Sequence, residues 1–505
     1  MTTQSVAVRG PAGAQAGYPR RWLAAIVMIV GALMDMIDVT IVNVALPTIR
    51  RDLHASATQL EWVVSGYMLA FAAALIIAGN LGDLFGRKRV FLAGVVVFGL
   101  ASLAAGLSGS GAELIAARVV QGTAAAAMAP QVLATFRVIF AGAERGKAFS
   151  IYGAMLGFAS AVGLLLGGVL TEANLFGWSW RTVFFVNVPV AAAALITGAR
   201  FVPETRDRAA RRPDVPGAVL LAASLVAIVY PLLEGRTLGW PGWVWLVLAA
   251  GVAGLGVLGL VEARRGALPG GARRGGARQA PTPLLRAPLL RAPLLRAGLF
   301  RVPAFAAGLG VQVAFSAGMQ GFFLAFALWL QAGEHFSPLK AGLTAVAFSV
   351  GSFIGAPVAV PLAQKYGRGV LALGGLLMVA GIAGEWLAAS HVGVNGSPWP
   401  VVPGLVVAGA GLALLVIPLV NVVLAAVPAE VAGGASGLFG TAQQLGGALG
   451  VAVFGTVFFG YLTGHSFEAA IVHTAPYAMG AFALCAVLAL LLPRTAVSEE
   501  ALLES

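Results

Sequence analysis

The chain has 505 residues, of which 59% are hydrophobic and only 10% are charged. Soluble domains typically carry about 25% charged residues, so this composition excludes an ordinary water-soluble fold. The net charge of +12 would suit a nucleic-acid-binding protein, but the basic residues cluster in short segments between apolar runs and lack an interleaved aromatic surface. We therefore expect a lipid bilayer, and no nucleic acid, as the partner of this surface.

Apolar runs recur along the chain, and a helix of about 20 such residues crosses a hydrocarbon core of ~30 Å. Because the runs are continuously apolar rather than alternating, they predict helices and not barrel strands. The predicted fold class is all-α integral membrane. The fourteen predicted spans cover residues 22–47, 59–80, 90–109, 112–136, 148–171, 180–199, 216–233, 241–261, 303–330, 341–363, 369–390, 400–424, 434–463 and 474–493.

Basic residues predict the orientation, because cytoplasmic loops are enriched in Lys and Arg. With the N-terminus inside, most of the 32 Lys and Arg residues fall in cytoplasmic segments. An even number of spans returns the C-terminus to the same side. We predict a multi-pass protein of the bacterial inner (plasma) membrane with both termini cytoplasmic.

Two charged, Pro-rich and Gly-rich breaks divide the spans. They predict an N-terminal six-helix bundle over residues 1–200, a linker over 201–301 and a C-terminal six-helix bundle over 302–505. The linker would hold two extra transmembrane helices and a basic, Pro-rich cytoplasmic loop with three Pro-Leu-Leu-Arg-Ala repeats between residues 283 and 297. The block at 81–87 also aligns with that at 362–368, and such parallel repeats are typical of transporters with two rocking halves.

A glycine-rich motif follows the second span, with the sequence Gly79-Asn80-Leu81-Gly82-Asp83-Leu84-Phe85-Gly86-Arg87-Lys88-Arg89. Its glycines permit a tight turn, and Asp83 can form a charge-assisted latch with the basic residues. This spacing resembles the signature loop of the major facilitator superfamily. The residues predicted to form a gating motif are Gly79, Gly82, Asp83, Gly86, Arg87 and Lys88.

The first span carries the sequence Asp38-Val39-Thr40-Ile41-Val42-Asn43-Val44-Ala45-Leu46-Pro47. It resembles the opening signature of the 14-span drug:proton antiporter branch of that superfamily, which carries out multidrug and antibiotic efflux. Further resemblances to the superfamily or its antiporter branch lie in Arg118-Val119-Val120-Gln121-Gly122, in Trp180-Arg181 with Phe184, Asn187 and Pro189, and in Gln443-Gln444-Leu445-Gly446-Gly447. The resemblance implies a major facilitator fold with two six-helix bundles plus two extra central helices. It also implies export driven by the proton gradient, with no other cofactor.

The fifth span departs from this pattern. Antiporters of the family usually carry a Gly-Pro pair there, whereas this chain reads Gly163-Leu164-Leu165-Leu166-Gly167-Gly168. Ala159, Gly163 and Gly167 still recur every fourth position and predict a stripe for close helix packing. Gly163, Gly167 and Gly168 are therefore the candidates for antiporter-type helix packing.

Ionisable residues inside the spans single out Asp35, Asp38, Arg118 and Glu385, because such groups cost several kcal/mol in a bilayer unless they are paired or hydrated. We predict that Asp38 carries the proton, binding it when the cavity is dry and releasing it when water and Arg118 approach. Asp35 lies one helical turn away and can share the proton. A static ion pair that orients the helices is the alternative.

Aromatic and amide side chains offer a surface for apolar or amphipathic drugs. For each of them, helix packing or lipid contact is the alternative, and Glu385 would meet either a cationic substrate or the outer headgroups. The candidates are Trp62, Tyr67, Gln121, Gln312, Gln320, Phe323, Trp329 and Glu385.

The sequence indicates no enzyme and no metal site. The segment Gly142–Ala148 lacks the spacing of a phosphate loop, and the five His residues lack ligand spacing. We therefore expect a monomeric, proton-coupled secondary exporter whose partners are protons and a small-molecule substrate. The alternatives are a metabolite symporter or uptake carrier of the same fold, and a non-transporting membrane sensor.

Overall fold

The computed structural model of the protein describes residues 18–206, 214–266, 302–392, 396–425 and 432–492. Within these ranges every regular element is a helix, which confirms the predicted all-α membrane class. The three Pro-Leu-Leu-Arg-Ala repeats lie outside the described residues.

Helices occupy all fourteen of the predicted spans. The sixth place is broken into the 3-10 turns Leu175–Gly177 and Ser179–Arg181, the short α6 and the longer α7. A π-helical turn, Trp329–Gly333, extends α10. In chain order the helices are α1 (Arg21–Asp52), α2 (Ala57–Phe85), α3 (Arg87–Leu107), α4 (Gly111–Ile139), α5 (Gly142–Ala173), α6 (Thr182–Phe185), α7 (Asn187–Phe201), α8 (Val215–Leu238), α9 (Gly242–Gly266), α10 (Pro303–Leu328), α11 (Pro338–Tyr366), α12 (Arg368–Ala388), α13 (Val402–Ala425), α14 (Ala432–Leu462) and α15 (Phe467–Ala489).

Length and hydropathy identify the helices that can cross a membrane. Eleven of the described helical segments are long and apolar enough, and twelve if the bent α2 counts as one span. The two remaining predicted places hold α4, which carries Glu113, Arg118 and Arg137, and the 32-residue α5. Fourteen spans are consistent with this arrangement.

The last helix begins earlier than predicted. It starts at Phe467 rather than at residue 474, because Ser466 caps it: the backbone N–H of Ala469 donates to Ser466 Oγ at 3.1 Å. A side-chain oxygen at this position satisfies one of the unpaired N–H groups of the first turn. Glu468 in this turn and His473 in the next interrupt the apolar run, so that hydropathy alone predicts a later start.

The long helices pack in two groups with α8 between them. Helices α1–α7 contact one another and form the first group, and α10–α15 form the second group. Contacts between the groups run from α2 to α14 and from α5 to α11, while α8 packs on both α2 and α14. The bundle boundaries at residues 200 and 301 remain predictions.

The two ends of this bundle differ in charge. We call the end with Arg21, Arg87, Arg145, Arg200 and Arg368 the basic end, and the other the opposite end. Near the opposite end, polar contacts join the two groups. These are Gln331 Nε2 to the Val44 carbonyl oxygen at 2.8 Å, the Leu339 N–H to Glu172 Oε2 at 2.9 Å, and the Arg50 guanidinium carbon 5.8 Å from the Phe459 ring centre. The groups are thus closed together at the opposite end.

Close packing inside each group depends on glycine. A Cβ atom at Gly122 of α4 would lie 2.2 Å from the carbonyl oxygen of Tyr67 in α2. A Cβ atom at Gly409 of α13 would lie 1.8 Å from the carbonyl oxygen of Phe348 in α11. Small residues at such crossings let membrane helices approach backbone to backbone.

Candidate proton site and transport pathway

A fully buried ion pair lies in the first group. Asp38 of α1 and Arg118 of α4 have almost no exposed surface, and Arg118 Nη1 donates to Asp38 Oδ2 in a close contact. The guanidinium also donates through Nη1 to Gln121 Oε1 at 2.6 Å and through Nε to the Val63 carbonyl oxygen at 3.2 Å. A buried pair is stable only when such further bonds satisfy its remaining polar atoms.

The second oxygen of Asp38 accepts two amide hydrogen bonds. Gln121 Nε2 donates to Asp38 Oδ1 at 2.8 Å, and Asn187 Nδ2 donates to the same atom at 2.9 Å. Both amides also reach Ser102 Oγ of α3, at 2.7 and 3.2 Å. Four helices, α1, α3, α4 and α7, therefore meet at one carboxylate.

Ser102 was missed in the sequence, and Asn187 entered only through a resemblance and without a role. The one signal for both is a polar side chain inside an apolar run, which membrane helices rarely carry without a partner. Gln121 was expected to face a substrate, but here it belongs to the hydrogen-bond network of Asp38.

Tyr67 contacts both Asp35 and Arg118, the partner of Asp38. Its hydroxyl donates to Asp35 Oδ1 in a close contact, and its ring centre lies 4.2 Å from the guanidinium carbon of Arg118. Such cation–π contact favours the positive charge over the ring face. Tyr67 is fully buried, so it is part of the charged cluster, and the structure brings Asp35, Asp38 and Arg118 together around it.

The predicted gating motif lies at the basic end. Arg87 donates to Asp83 Oδ1 through Nε at 3.0 Å and through Nη2 at 2.7 Å, and through Nη1 to the Ala134 carbonyl oxygen at 3.3 Å. Lys88 Nζ donates to the Ala199 carbonyl oxygen at 2.6 Å. The charged side chains of the motif thus tie α2 and α3 to α4 and α7.

The glycines of the motif differ in how strictly their positions require a residue without a side chain. Gly86 has a φ of 106°, a conformation that side chains disfavour. A Cβ atom at Gly82 would lie 1.8 Å from Gln131 Oε1, whereas at Gly79 the nearest atom is 4.0 Å away, on Pro130. Gly79 therefore has room that Gly82 lacks.

The predicted small-residue stripe of α5 faces two different neighbours. A Cβ atom at Gly163 would lie 1.9 Å from Thr40 Oγ1, and one at Gly167 would lie 2.8 Å from the Ile41 carbonyl oxygen. These two glycines pack α5 against α1. At Gly168 the contact is the Pro338 carbonyl oxygen at 2.7 Å, so this glycine packs the first group against the second.

A small cavity lies between the two groups. Its volume is about 10 Å³, room for about one water molecule. Phe323 and Phe326 line it from α10, and Asn43 and Val44 line it from α1. Asn43 Oδ1 is buried without a hydrogen-bond partner, which leaves an acceptor beside two aromatic faces. Of the substrate candidates, Phe323 is the one placed here.

Trp329 and Glu385 lie together inside the second group. With Phe322 and Trp386 they line another cavity of about 10 Å³ between α10, α12 and α15. Glu385 is buried, and neither of its carboxyl oxygens has a hydrogen-bond partner. Trp329 Nε1 donates to Glu334 Oε1 at 2.8 Å.

The remaining substrate candidates lie at helix contacts. Trp62 Nε1 donates to Glu234 Oε1 of α8 at 3.1 Å. Gln312 Nε2 donates to Ser316 Oγ at 3.1 Å within α10. Gln320 is half-buried beside Gly447, where α10 meets α14. These three side chains are therefore separated from the cavity that Phe323 lines.

Two groups of membrane-crossing helices around a small cavity, with an ion pair sealed inside one group, define a multi-pass membrane carrier of small molecules. The sequence profile described as Major Facilitator Superfamily matches residues 28–221 and 209–451. The chain belongs to this family of transporters, as its motifs predicted.

Curated relatives share about a third of their residues with this chain. It is 37% identical over 460 residues to the probable actinorhodin transporter of Streptomyces coelicolor, covering 90% of this chain and 75% of the relative. It is 36% identical to the puromycin resistance protein of Streptomyces alboniger, covering 98% and 95%. It is 34% identical to the cephamycin export protein of Amycolatopsis lactamdurans, covering 83% and 81%.

Solved structures agree in fold. The crystal structure of a D-xylose–proton symporter superposes with a TM-score of 0.63 at 14% identity, covering 94% of this chain and 98% of that one. A peptide transporter crystallised with sulfate gives a TM-score of 0.61 at 15% identity, covering 92% and 93%. At these identities the likeness shows the fold alone.

Proposed function

We propose that this protein exports antibiotics or other amphipathic small molecules in exchange for protons, and that it does so by alternating access. The observation that carries the proton half of this proposal is the sealed network around Asp38. The cargo is argued from the three relatives named above, which are a probable transporter, a resistance protein and an export protein. The basic end is placed in the cytoplasm, with both termini there, and the working unit is a monomer.

The proposed proton step begins at Asp38. A carboxyl in this site is either charged and paired with Arg118 or neutral and unpaired, since a buried charge without its partner is strongly destabilising. Proton uptake therefore releases Arg118, and proton loss recaptures it. Because α1, α3, α4 and α7 all bond to Asp38 or its partners, this change shifts the relative stability of two helix arrangements.

The gating motif and the helix packing serve the same movement. Asp83 and Arg87 hold the first group together at the basic end, so that it moves as one body. Gly168 permits close contact with α11 at the opposite end, where the groups part in the outward-open state. Gly163 and Gly167 keep α5 bound to α1.

The proposed substrate surface is the aromatic cavity between the groups. Phe323 and Phe326 provide apolar faces, and Asn43 and Gln331 provide amides, a combination that suits an amphipathic molecule. Trp329 and Glu385 are proposed to meet the cationic part of a substrate if the second group opens around them. Gln312, Gln320 and Trp62 remain predictions as substrate-binding residues.

Substrate-driven proton movement in proteoliposomes tests the proposal. A panel of lipophilic dyes and antibiotics is screened with the wild type, with Asp38→Asn and with Asp52→Asn, which removes an exposed carboxylate from the end of the same helix. We expect substrate and proton fluxes in opposite directions, lost in Asp38→Asn and kept in Asp52→Asn.

Fluxes in the same direction would instead favour the symporter alternative. Robust transport without proton movement, or an unimpaired Asp38→Asn protein, would rule out Asp38 as the proton carrier.

A further inference from the structure

Helix α8 is bonded to both groups near the opposite end. From the first group, Trp62 Nε1 donates to Glu234 Oε1 of α8 at 3.1 Å. From the second group, Thr456 Oγ1 of α14 donates to the Leu232 carbonyl oxygen of α8 at 2.8 Å. The first of the two extra helices therefore lies in the junction itself and not at its margin.

Arg236, in the last turn of α8, also contacts both groups. Its Nη2 lies 3.8 Å from Glu61 Oε1 of α2, and its guanidinium carbon lies 5.3 Å from the ring centre of Phe459 in α14. Arg50 of α1 approaches the same ring at 5.8 Å. The junction of α2, α8 and α14 is thus a cluster of charges around one aromatic ring.

Glu61 is the buried member of this cluster. Its exposed fraction is 0%, and neither carboxyl oxygen has a hydrogen-bond partner. A Cβ atom at Gly455 of α14 would lie 2.6 Å from the Glu61 carboxyl carbon, so this carboxyl is pressed against the backbone of the second group. A side chain of the first group is therefore sealed by the second.

Few charges offset this burial. Between residues 437 and 462, the described α14 carries no charged side chain. Towards the same end, the helices that pack against α2 carry Glu234 of α8, Arg50, Arg51 and Asp52 at the end of α1, Glu113 in the first turn of α4, and Arg118, which is engaged with Asp38. Arg236, beyond hydrogen-bond distance, is the one cation in ion-pair contact among the described residues.

The charge of Glu61 must therefore depend on whether the junction is closed. A buried carboxylate is costly unless it is both paired and hydrogen-bonded, whereas a neutral carboxylic acid loses much less on burial. When the groups part at the opposite end, water reaches the two oxygens and the charged form is no longer disfavoured. The neutral form consequently favours the closed junction, and the charged form favours the open one.

We propose that Glu61 is a second proton-binding site, separate from Asp38, which takes up a proton as α2, α8 and α14 close together and loses it as they part. Helix α8 holds this junction together, since it is hydrogen-bonded to both groups. The inference rests on the alternating access proposed above. A proton-binding site at Glu61 would lie on the side where the driving gradient supplies protons. It would also give the extra helix α8 a part in the transport cycle.

A distance measurement between the two groups at the opposite end tests this site without requiring transport. Spin labels are attached through Phe176→Cys in the first group and Trp399→Cys in the second, which are 90% and 74% exposed, in a chain with Cys485→Ala. Distances are recorded in lipid nanodiscs between about pH 5 and about pH 9, a range that spans the titration of buried carboxyls. The parent carries Asp38→Asn, so that the first proton site is silent.

In the Asp38→Asn parent we expect the longer distance to gain population as the pH rises. Adding Glu61→Gln, whose amide stays neutral, should leave the short distance at every pH, and that distance should match the parent at low pH. Adding Asp52→Asn, an exposed carboxylate at the same end, should preserve the response to pH.

The inference is overturned if the Asp38→Asn parent shows no response to pH, or if Glu61→Gln responds as the parent does or stays open throughout. If the protein with Asp38 intact never changes its distance, with pH or with substrate, alternating access itself is contradicted. The two failures are therefore distinguishable.

Discussion

Asn187 Nδ2 donates a 2.9 Å hydrogen bond to Asp38 Oδ1 and so joins α7 to α1 across 149 residues of the chain. Gln121 donates to the same oxygen at 2.8 Å. Hydrogen bonds to a charged group are stronger than those between neutral groups. The two amides therefore hold the carboxylate in place beside Arg118 and tie α4 and α7 to α1.

Asn187→Leu should therefore weaken this junction and slow transport. A hydrogen bond to a charged group contributes about 1.5–3 kcal/mol, so we expect proton-driven export at neutral pH to fall by about tenfold or more. The measurement is the rate of dye efflux from proteoliposomes. Thr197→Val on the same helix is the control, since Thr197 Oγ1 bonds to the Ala193 carbonyl oxygen at 2.6 Å. A wild-type rate of efflux in Asn187→Leu would contradict the role given to this amide.

Tyr67→Phe separates the two contacts of this residue. The variant loses the hydroxyl that donates to Asp35 but keeps the ring over Arg118. We expect Tyr67→Phe to retain transport with a changed pH profile, because Asp35 loses a hydrogen-bond donor. Tyr67→Leu, which also removes the ring, should reduce transport at least a further tenfold. Equal activity of the two variants would show that the ring does not support Arg118.

Gly122→Ala should destabilise the first group. The added Cβ atom would lie 2.2 Å from the Tyr67 carbonyl oxygen, and overpacking of this kind costs about 1–3 kcal/mol. We expect a lower midpoint of thermal unfolding in detergent. Gly259→Ala is the matched control, because nothing lies within 4 Å of its added Cβ, and it should unfold at the wild-type temperature or slightly above. Identical midpoints for both variants would contradict the close crossing of α2 and α4.

Gly168→Leu should block transport without unfolding the protein. The larger side chain would force apart α5 and α11, where a Cβ atom alone meets the Pro338 carbonyl oxygen at 2.7 Å. Closure of the groups is part of every cycle, so we expect at least a tenfold loss of drug–proton exchange. Gly256→Leu on α9 has open space around its Cβ and should transport normally. Normal exchange in Gly168→Leu would show that this contact is not remade during the cycle.

Hydropathy predicted the helices well because a bilayer imposes their length. The pair of Asp38 and Arg118 was also accessible from the sequence, since both are ionisable groups at similar depth in apolar runs. The hydrogen-bond partners of that pair could not be predicted from the sequence. Ser102 and Asn187 are neutral polar residues on helices distant in sequence, and no local pattern states which carboxylate they face.

Glu61 shows a different limit. It lies near the start of the second span, where the charge of a side chain carries little penalty if headgroups and water are near. Its burial comes from the approach of α8 and α14, and this is a property of the assembled junction. The position of α8 between the groups likewise has no signature in its own sequence, since its apolar residues are spread over every face of the helix.

The two extra helices are joined by a short turn, yet their surroundings differ. Helix α8 contacts both groups, whereas α9 packs on α8 and exposes Trp245, Leu246 and Leu260. A substitution on the exposed face of α9 that keeps the residue apolar changes only what the lipid tails meet, while one in α8 alters the fit to two moving bodies. Among proteins that descend from this one, the sequence of α9 should therefore change much faster than the sequence of α8.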